Sequence, residues 1–238
     1  MISGLYTAAS GIAAQQARLD VMANNLANAN TIGFKADLLT VDSSADLSIG
    51  MNDFRPGTDT VQPGRPGLDA SPGIVRSTGN PLDLAIVGRG LFVVQTPQGE
   101  RYTRAGSFTR DMEGYLATPE GFRVLGAGGP IQVPEAGFRV DERGGIAGAG
   151  SLRIVAGPSG LGLVKLGTNL YAVAEGSPAP PELAEANVLQ GHLESSNVNV
   201  IQSMVEMLAC LRTCEAYQRS IQALDQTANQ AASDLGRA

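Results

Sequence analysis

Few side chains in this 238-residue chain have types suited to chemistry, and their spacing limits what they can do. Cys210 and Cys214 lie four apart in a helical pattern. That spacing puts both thiols on one helix face, too parallel and too far apart to bridge. A zinc site needs two further ligands, and His192 is the single histidine. The pair therefore reads as two small buried apolar residues. His192, in "QGHLESS", reads as a solvated loop residue rather than a general base. Asp111 with Glu113, and Asp141 with Glu142, have the sequence context of carboxylates at solvated hairpin tips. "GRG" at 88–90 is a bend between strands and lacks the rest of a dinucleotide fingerprint. There is no nucleophile elbow, Walker loop or zinc signature. The chain does not read as an enzyme: no catalytic, cofactor-binding or metal-binding residue is assigned, and no cofactor is implied.

One polar cluster remains, in "NNLANANTIGFK", Asn24 to Lys35. Asparagine is a mediocre helix former, because its amide competes for nearby backbone groups. Asn28 and Asn30 suit the left-handed angles of a helix C-cap, Gly33 frees the chain to turn, and Phe34 can anchor it. An ordinary helix end accounts for those residues but not for Asn24 and Asn25, which sit inside the last turn. Their amides are suited to bonding across a packed interface. Asn24, Asn25, Asn28 and Gly33 are thus the candidate helix-end joint.

The elements that position this joint follow from periodicity. Leu5, Ile12, Leu19 and Leu26 recur every seven residues, with Ile2, Ala9 and Ala23 three before some of them and Gln16 the polar exception. Val200, Met207, Cys214, Ile221, Ala228 and Leu235 repeat likewise, and Cys210, Tyr217, Leu224 and Ala231 fill the alternate seam. These heptads predict two amphipathic helices of roughly 25 and 38 residues, one at each end. Ser195, Ser196 and Asn197 are N-cap types ahead of the second. Residues 37–75, rich in Gly, Pro, Asp and Ser, read as an extended linker with one or two short strands. Residues 76–195 read as β, with hairpin signals at Glu113-Gly114 and Glu120-Gly121, which fits a sandwich or a small open barrel. The fold class is α+β. A helical arm at 1–36 and another at 196–238, paired as a coiled-coil-like hairpin (antiparallel or obliquely crossed), flank the linker and an all-β domain.

Composition narrows the partners. Net charge is −6, against a nucleic-acid binder, which needs a basic face, and against attraction to anionic lipid. Apolar residues make up 43% and aromatics 5%, with no Trp, so the core is aliphatic. No apolar run is long enough to insert in a membrane, and the first 20 residues lack the pattern of a cleaved signal peptide. The first 36 residues carry only Arg18, Asp20 and Lys35 as charges, whereas a solvated helix displays far more. Either the two helices bury themselves against their own β domain, or they pack on the arms of neighbouring copies. Open-ended packing of the second kind produces a helical fibre. On that reading Leu5, Ile12, Leu19, Leu26, Met207, Cys214, Ile221 and Leu224 form the assembly interface.

Three stretches also carry a family resemblance. "NNLANANTIGFK" resembles the N-terminal signature of the flagellar rod and hook axial proteins. "STGNPLDLAIVGRGLFVVQTPQGERYTRAGSF", Ser77 to Phe108, resembles their shared β-domain motif. "LESSNVNVIQSMVEML", Leu193 to Leu208, resembles the segment opening their C-terminal helix. The three occur in the family's order. The ending "IQALDQTANQAASDLGRA" and the short length are most similar to proximal-rod members, with distal-rod members the closest rival; "RTCEAYQRS" departs locally without disturbing the heptads. The resemblance implies a structural subunit of the bacterial basal-body rod, in the periplasm, that assembles helically, transmits torque and forms part of the axial export channel. It implies other rod subunits, self and neighbouring, and the flagellar type III export apparatus as partners, with export unfolded and without signal cleavage. From a different class, a carbohydrate-binding β module is the alternative; its stacking residues would come from Phe92, Tyr102, Phe108, Tyr115 and Phe122, which the strand alternation instead puts in the core.

Overall fold

The computed structural model describes residues 2–42, 62–134, 137–148, 150–157, 163–174, 176–183 and 186–235. The linker expected at 37–75 falls partly outside them, at 43–61. The chain divides into two compact units: residues 1–27, 37–67 and 199–238 in one, and residues 28–36 and 68–198 in the other.

The first unit contains the helices α1, Ile2–Ala27, and α2, Val200–Leu235, and a two-stranded sheet of Asp37–Asp42 with Gln62–Leu68. Neither helix contains a proline. In α2 the covered positions are Ser203, Met207, Cys210, Cys214, Tyr217 and Ile221, spaced alternately four and three apart, as a heptad seam requires. Val200, which the heptad count includes, is exposed. In α1 Ile12, Leu19 and Leu26 are half-buried as expected. The second stripe differs from expectation. It runs through Gln15 and Met22, while Gln16 and Ala23 are exposed. Alanine at 23 is indifferent to either side of the helix, whereas the methionine beside it gains from burial.

The helices pack antiparallel. The Cys210 thiol donates to Gln15 Oε1 at 2.9 Å, and one to two turns further along α2 the Tyr217 ring lies over Gly11. A Cβ on Gly11 would sit 3.3 Å from that ring, so the missing side chain permits the approach. The α2 N-cap is Asn199, not a residue of the 195–197 group. Its Oδ1 accepts from the Gln202 amide at 3.2 Å, and its carbonyl takes the first helical bond from Ser203 at 2.9 Å.

The second unit is built on a nine-stranded antiparallel sheet. Its main path runs Leu163–Leu166, Leu170–Val173, Gly99–Thr103, Gly90–Thr96, Arg123–Gly126, Leu116–Ala117, Thr109–Arg110. Among the described residues the path stays open at both ends rather than closing into a barrel. The central strand is buried on both faces, which explains its unbroken apolar run "GLFVV". Phe92 and Val94 join Leu84, Phe108, Leu116 and Val124 in one core; Leu91 and Val93 join Tyr102, Val155 and Tyr171 in the other. Each such side chain contributes about 1.5–3 kcal/mol on burial. The turns expected at Glu113-Gly114 and Glu120-Gly121 are present. Two short pairings, Leu84–Val87 with Asn187–Gln190 and Val75–Ser77 with His192–Glu194, bring the end of this unit's chain back beside its beginning.

Candidate functional site

The asparagines of the joint bond within their own chain. Asn25 Nδ2 donates to the Asp37 carbonyl at 2.8 Å, and the Asp37 amide donates to Asn25 Oδ1 at 2.8 Å. A side-chain amide can imitate a strand neighbour in this way, satisfying both backbone groups of the residue where Asp37–Asp42 begins. Asn24 Nδ2 adds a bond to the Asp37 carboxylate at 2.9 Å. These bonds explain two asparagines inside the last turn of α1 without a second molecule.

The expected left-handed cap at Asn28 does not form. No described non-glycine residue has positive φ. Asn28 instead closes a turn with Thr31, whose amide donates to the Asn28 carbonyl at 3.1 Å and whose hydroxyl donates to Oδ1 at 3.2 Å. The left-handed residue is Gly33, at φ +69°. It is buried, its amide donates to the Glu194 carbonyl at 2.8 Å, and a Cβ there would lie 2.4 Å from the Ala105 nitrogen. Phe34 is fully buried, with the Lys165 ammonium 3.6 Å from its ring centroid.

Next to Gly33 lies a site that sequence reasoning missed. Lys35, Arg104 and Glu194 are each buried to within 4% of full burial. Lys35 Nζ donates to Glu194 Oε1 at 2.7 Å and to the Ser71 carbonyl at 2.7 Å. Arg104 Nε donates to Glu194 Oε2. The rest of the guanidinium closes the "GRG" bend: Nη2 donates to the carbonyls of Ile86 and Gly88, both at 2.7 Å, and Nη1 to that of Gly90. Glu194 Oε1 also accepts the Gly73 amide at 2.7 Å. Burial by itself would raise the Glu194 pKa. The Arg104 charge, the Lys35 hydrogen bond and the Gly73 amide outweigh it and hold the carboxyl below its ordinary value. Burial pushes Lys35 below the ordinary lysine value, opposed only in part by Glu194.

Asn197 closes the same region. Its Oδ1 accepts the Ala36 amide at 2.8 Å, and its Nδ2 donates to the Asp69 carbonyl at 3.1 Å and the Ser71 hydroxyl at 3.0 Å. The Asp69 amide in turn donates to the Ala36 carbonyl at 2.9 Å. Residues 36, 69 and 197, each next to or near a crossing between units, are thereby tied together.

The remaining sequence candidates are placed as follows. Met207, Cys214 and Ile221 are half-buried on α2; the side chains of Leu5 and Leu224 lie outside the described residues. Burial raises the Cys210 thiol pKa, as suits an apolar-like residue. His192 is not in a loop: it lies in a strand, half-buried, its Nδ1 2.8 Å from the Gln190 carbonyl. Asp111 and Asp141 organise turns. Oδ1 of the first accepts the Glu113 and Tyr115 amides, and Oδ1 of the second those of Arg143 and Gly145. The Tyr115 amide bond is the main cause holding Asp111 below the usual carboxylate range. Among the described residues no three His, Cys, Asp or Glu side chains are grouped to hold a metal, and no helix is long and apolar enough to cross a membrane. Phe92, Tyr102 and Phe108 are buried, Tyr115 is half-buried with the Arg123 guanidinium 4.5 Å from its ring centroid, and Phe122 is half-buried, so none of the five is exposed. A groove of about 230 Å³ between Thr103, Thr118 and Asn169 holds one titratable side chain, Glu120.

Comparison with known proteins follows this anatomy. Residues 5–35 match the family described as "Flagella basal body rod protein", residues 85–151 the "Flagellar hook protein FlgE/F/G D1 domain", and residues 189–234 the "Flagellar basal body rod FlgEFG protein C-terminal". The chain is 34% identical to the flagellar basal-body rod protein FlgF of Caulobacter vibrioides, over 100% of this chain and 98% of the relative. It is 33% identical to the flagellar basal-body rod protein FlgG of Bacillus subtilis, over 95% of this chain and 96% of the relative. FlgF of Mesorhizobium japonicum is 32% identical over 96% of this chain and 95% of the relative. With both of its helices and its β unit matched in order, the chain belongs to the flagellar basal-body rod protein family, FlgF/FlgG.

Proposed function

We propose that this chain, a structural subunit of the bacterial flagellar basal-body rod, builds the proximal part of that rod, assembling helically with copies of itself and with neighbouring rod proteins through α1 and α2. In this reading the two helices form a coiled-coil-like arm (1–36 with 196–238) that carries torque and axial load and lines the export channel. The subunit reaches its place in the periplasm through the flagellar type III export apparatus, without signal cleavage, and works by packing rather than by catalysis.

The observation that carries this reading is the face of α2 left bare by α1. Ile201 is 77% exposed, Val205 61% and Leu208 58%, and Met204 and Leu211 are also exposed. Ile201, Val205 and Leu208 recur at helical spacing on the side opposite the Met207–Cys210–Cys214 seam, with Met204 and Leu211 flanking them. A contiguous apolar stripe of this kind marks an interaction surface. The charge-poor α1 supports the same conclusion: its described side chains include only Arg18 and Asp20 as charges.

The test is Leu19→Asp or Ile221→Asp in the living bacterium. A carboxylate in the seam should leave the β unit folded yet abolish motility and filament growth. A motile strain carrying either substitution overturns the reading. A distal-rod role is the second reading, supported by similarity to proteins named FlgG. Locating the chain in a basal-body density map separates the two.

A further inference from the structure

Glu194 is a single buried carboxylate among cations. Lys35 and Arg104 bond to it directly, and the Lys165 ammonium reaches the same corner, donating to the Lys35 carbonyl at 3.1 Å. Asp69 is close enough to act on Lys35, but it reaches this corner through backbone bonds to Ala36 and Asn197. The two joints that meet here are otherwise linked by short-range bonds: the Gly33 amide to the Glu194 carbonyl, the Ala36 amide to Asn197 Oδ1, and the Asn197 amide to the Phe34 carbonyl. Lys35, Arg104 and Glu194 come from the three separate segments that match the rod-protein family, 5–35, 85–151 and 189–234.

We propose that Glu194 is a positioning residue that makes the docking of residues 31–36 and residues 194–197 onto the β unit a single event. Without its charge, Lys35 and Arg104 face each other across a water-excluded space, and each cation there needs an opposite charge to remain buried. The N-terminal joint therefore cannot seat until the C-terminal joint delivers Glu194, and the C-terminal joint is held in place by the same two cations. The device belongs to the β unit and does not depend on the rod-assembly reading.

The test is amide hydrogen exchange on the full-length chain. Glu194→Gln keeps the shape and removes the charge. It should accelerate exchange at residues 31–36 and 195–197 together by at least about 100-fold, since removing one partner of a buried ion pair uncovers the other. The strand Gly90–Thr96 should keep its wild-type rates. Lys35→Met leaves a balanced Glu194–Arg104 pair and should accelerate the same amides by less than about 10-fold. The decisive variant is the double substitution. If charge is the cause, removing Lys35 from the Glu194→Gln protein relieves a repulsion, and protection recovers by about 10-fold relative to Glu194→Gln alone. If only hydrogen bonds matter, the double variant is worse than either single one, and the proposal fails. Opening of one joint without the other also overturns it. Should Glu194→Gln unfold the whole unit, Lys35→Met in mild urea decides: loss of protection at both joints in step supports the proposal, and loss at one alone refutes it.

Discussion

Replacing Gly33 by alanine tests the tightest backbone approach at the joint. The added Cβ would lie 2.4 Å from the Ala105 nitrogen, 2.5 Å from the Arg104 carbonyl carbon and 2.7 Å from the Ala105 Cα. All three are main-chain atoms, so no flexible side-chain tip can swing aside. A normal contact requires a shift of about 1 Å, comparable to the overpacking that costs about 1–3 kcal/mol in cores. Ala105 cannot shift freely, because the neighbouring Arg104 guanidinium is fixed on the Ile86, Gly88 and Gly90 carbonyls. Holding an alanine at φ +69° adds about 1–2 kcal/mol. If the joint retreats instead, the Gly33 bond to Glu194 is lost, worth about 1 kcal/mol. The overpacking and backbone terms together come to about 2–5 kcal/mol, a large share of the 5–15 kcal/mol that typically holds a domain together. Gly79→Ala is the matched control. Its φ is +74° and an added Cβ meets nothing within 4 Å, so only the backbone term of about 1–2 kcal/mol remains. The assay is urea unfolding followed by tyrosine fluorescence, since Tyr102 and Tyr171 are buried in the β unit and the chain has no Trp. If Gly33→Ala costs no more than Gly79→Ala, residues 28–36 do not approach Arg104 and Ala105 as described.

Acid should weaken the β unit through Glu194. Its folded pKa lies below the value in the unfolded chain, about 4.3, so the stabilisation is fully present above that value. It is lost as pH falls through the folded pKa. Urea midpoints should therefore be flat from pH 7 to about 5 and drop below about 4.5; unchanged midpoints down to pH 3 contradict the assignment. Lys35 acts in the opposite range. Its folded pKa is depressed, so the unfolded chain binds the proton more tightly between the two values, and this group makes stability rise with pH there rather than fall. Asn25→Ala should cost about 1–2 kcal/mol by removing its bonds to both backbone groups of Asp37, and should speed exchange of the Asp37 amide. Asn24→Ala, which loses the exposed bond to the Asp37 carboxylate, should cost less than half as much, and equal costs would argue against the Asn25 clamp.

How much of this was legible depends on the range of each interaction. The α2 seam was readable because four and three residues along a helix is local geometry; the alternation from Met207 to Ile221 appears as counted. The α1 stripe was half readable: leucines and isoleucines declare a side, but in "RLDVMANN" the choice between Met22 and Ala23 depends on what faces them. The asparagines were recognised as unusual, but their bonds to Asp37 were not foreseen. The left-handed cap is a local motif, whereas the Asp37 backbone that Asn25 clamps returns only after a turn whose course the sequence does not reveal. The turn carboxylates were legible because an aspartate bonding its own following amides is a four-residue affair.

The ion cluster was hidden for the opposite reason. Lys35, Arg104 and Glu194 are 69, 90 and 159 positions apart in pairs, and each belongs to a type that is almost never fully buried. Taken singly, each argues for the surface on its type. What buries them is mutual: Glu194 has no reason to leave water without two cations, and Lys35 has none without Glu194. The one signal available beforehand was indirect. Each charge sits inside one of the three stretches that carry the family resemblance, in "GFK", "YTRAGSF" and "LESSN", amid residues whose packing is already prescribed. A charged residue embedded in a recognisable motif, with no chemistry to perform, is a candidate for a buried partner in another motif. Three such residues whose charges sum to a single excess cation narrow the choice to one anion shared by two cations, the arrangement found.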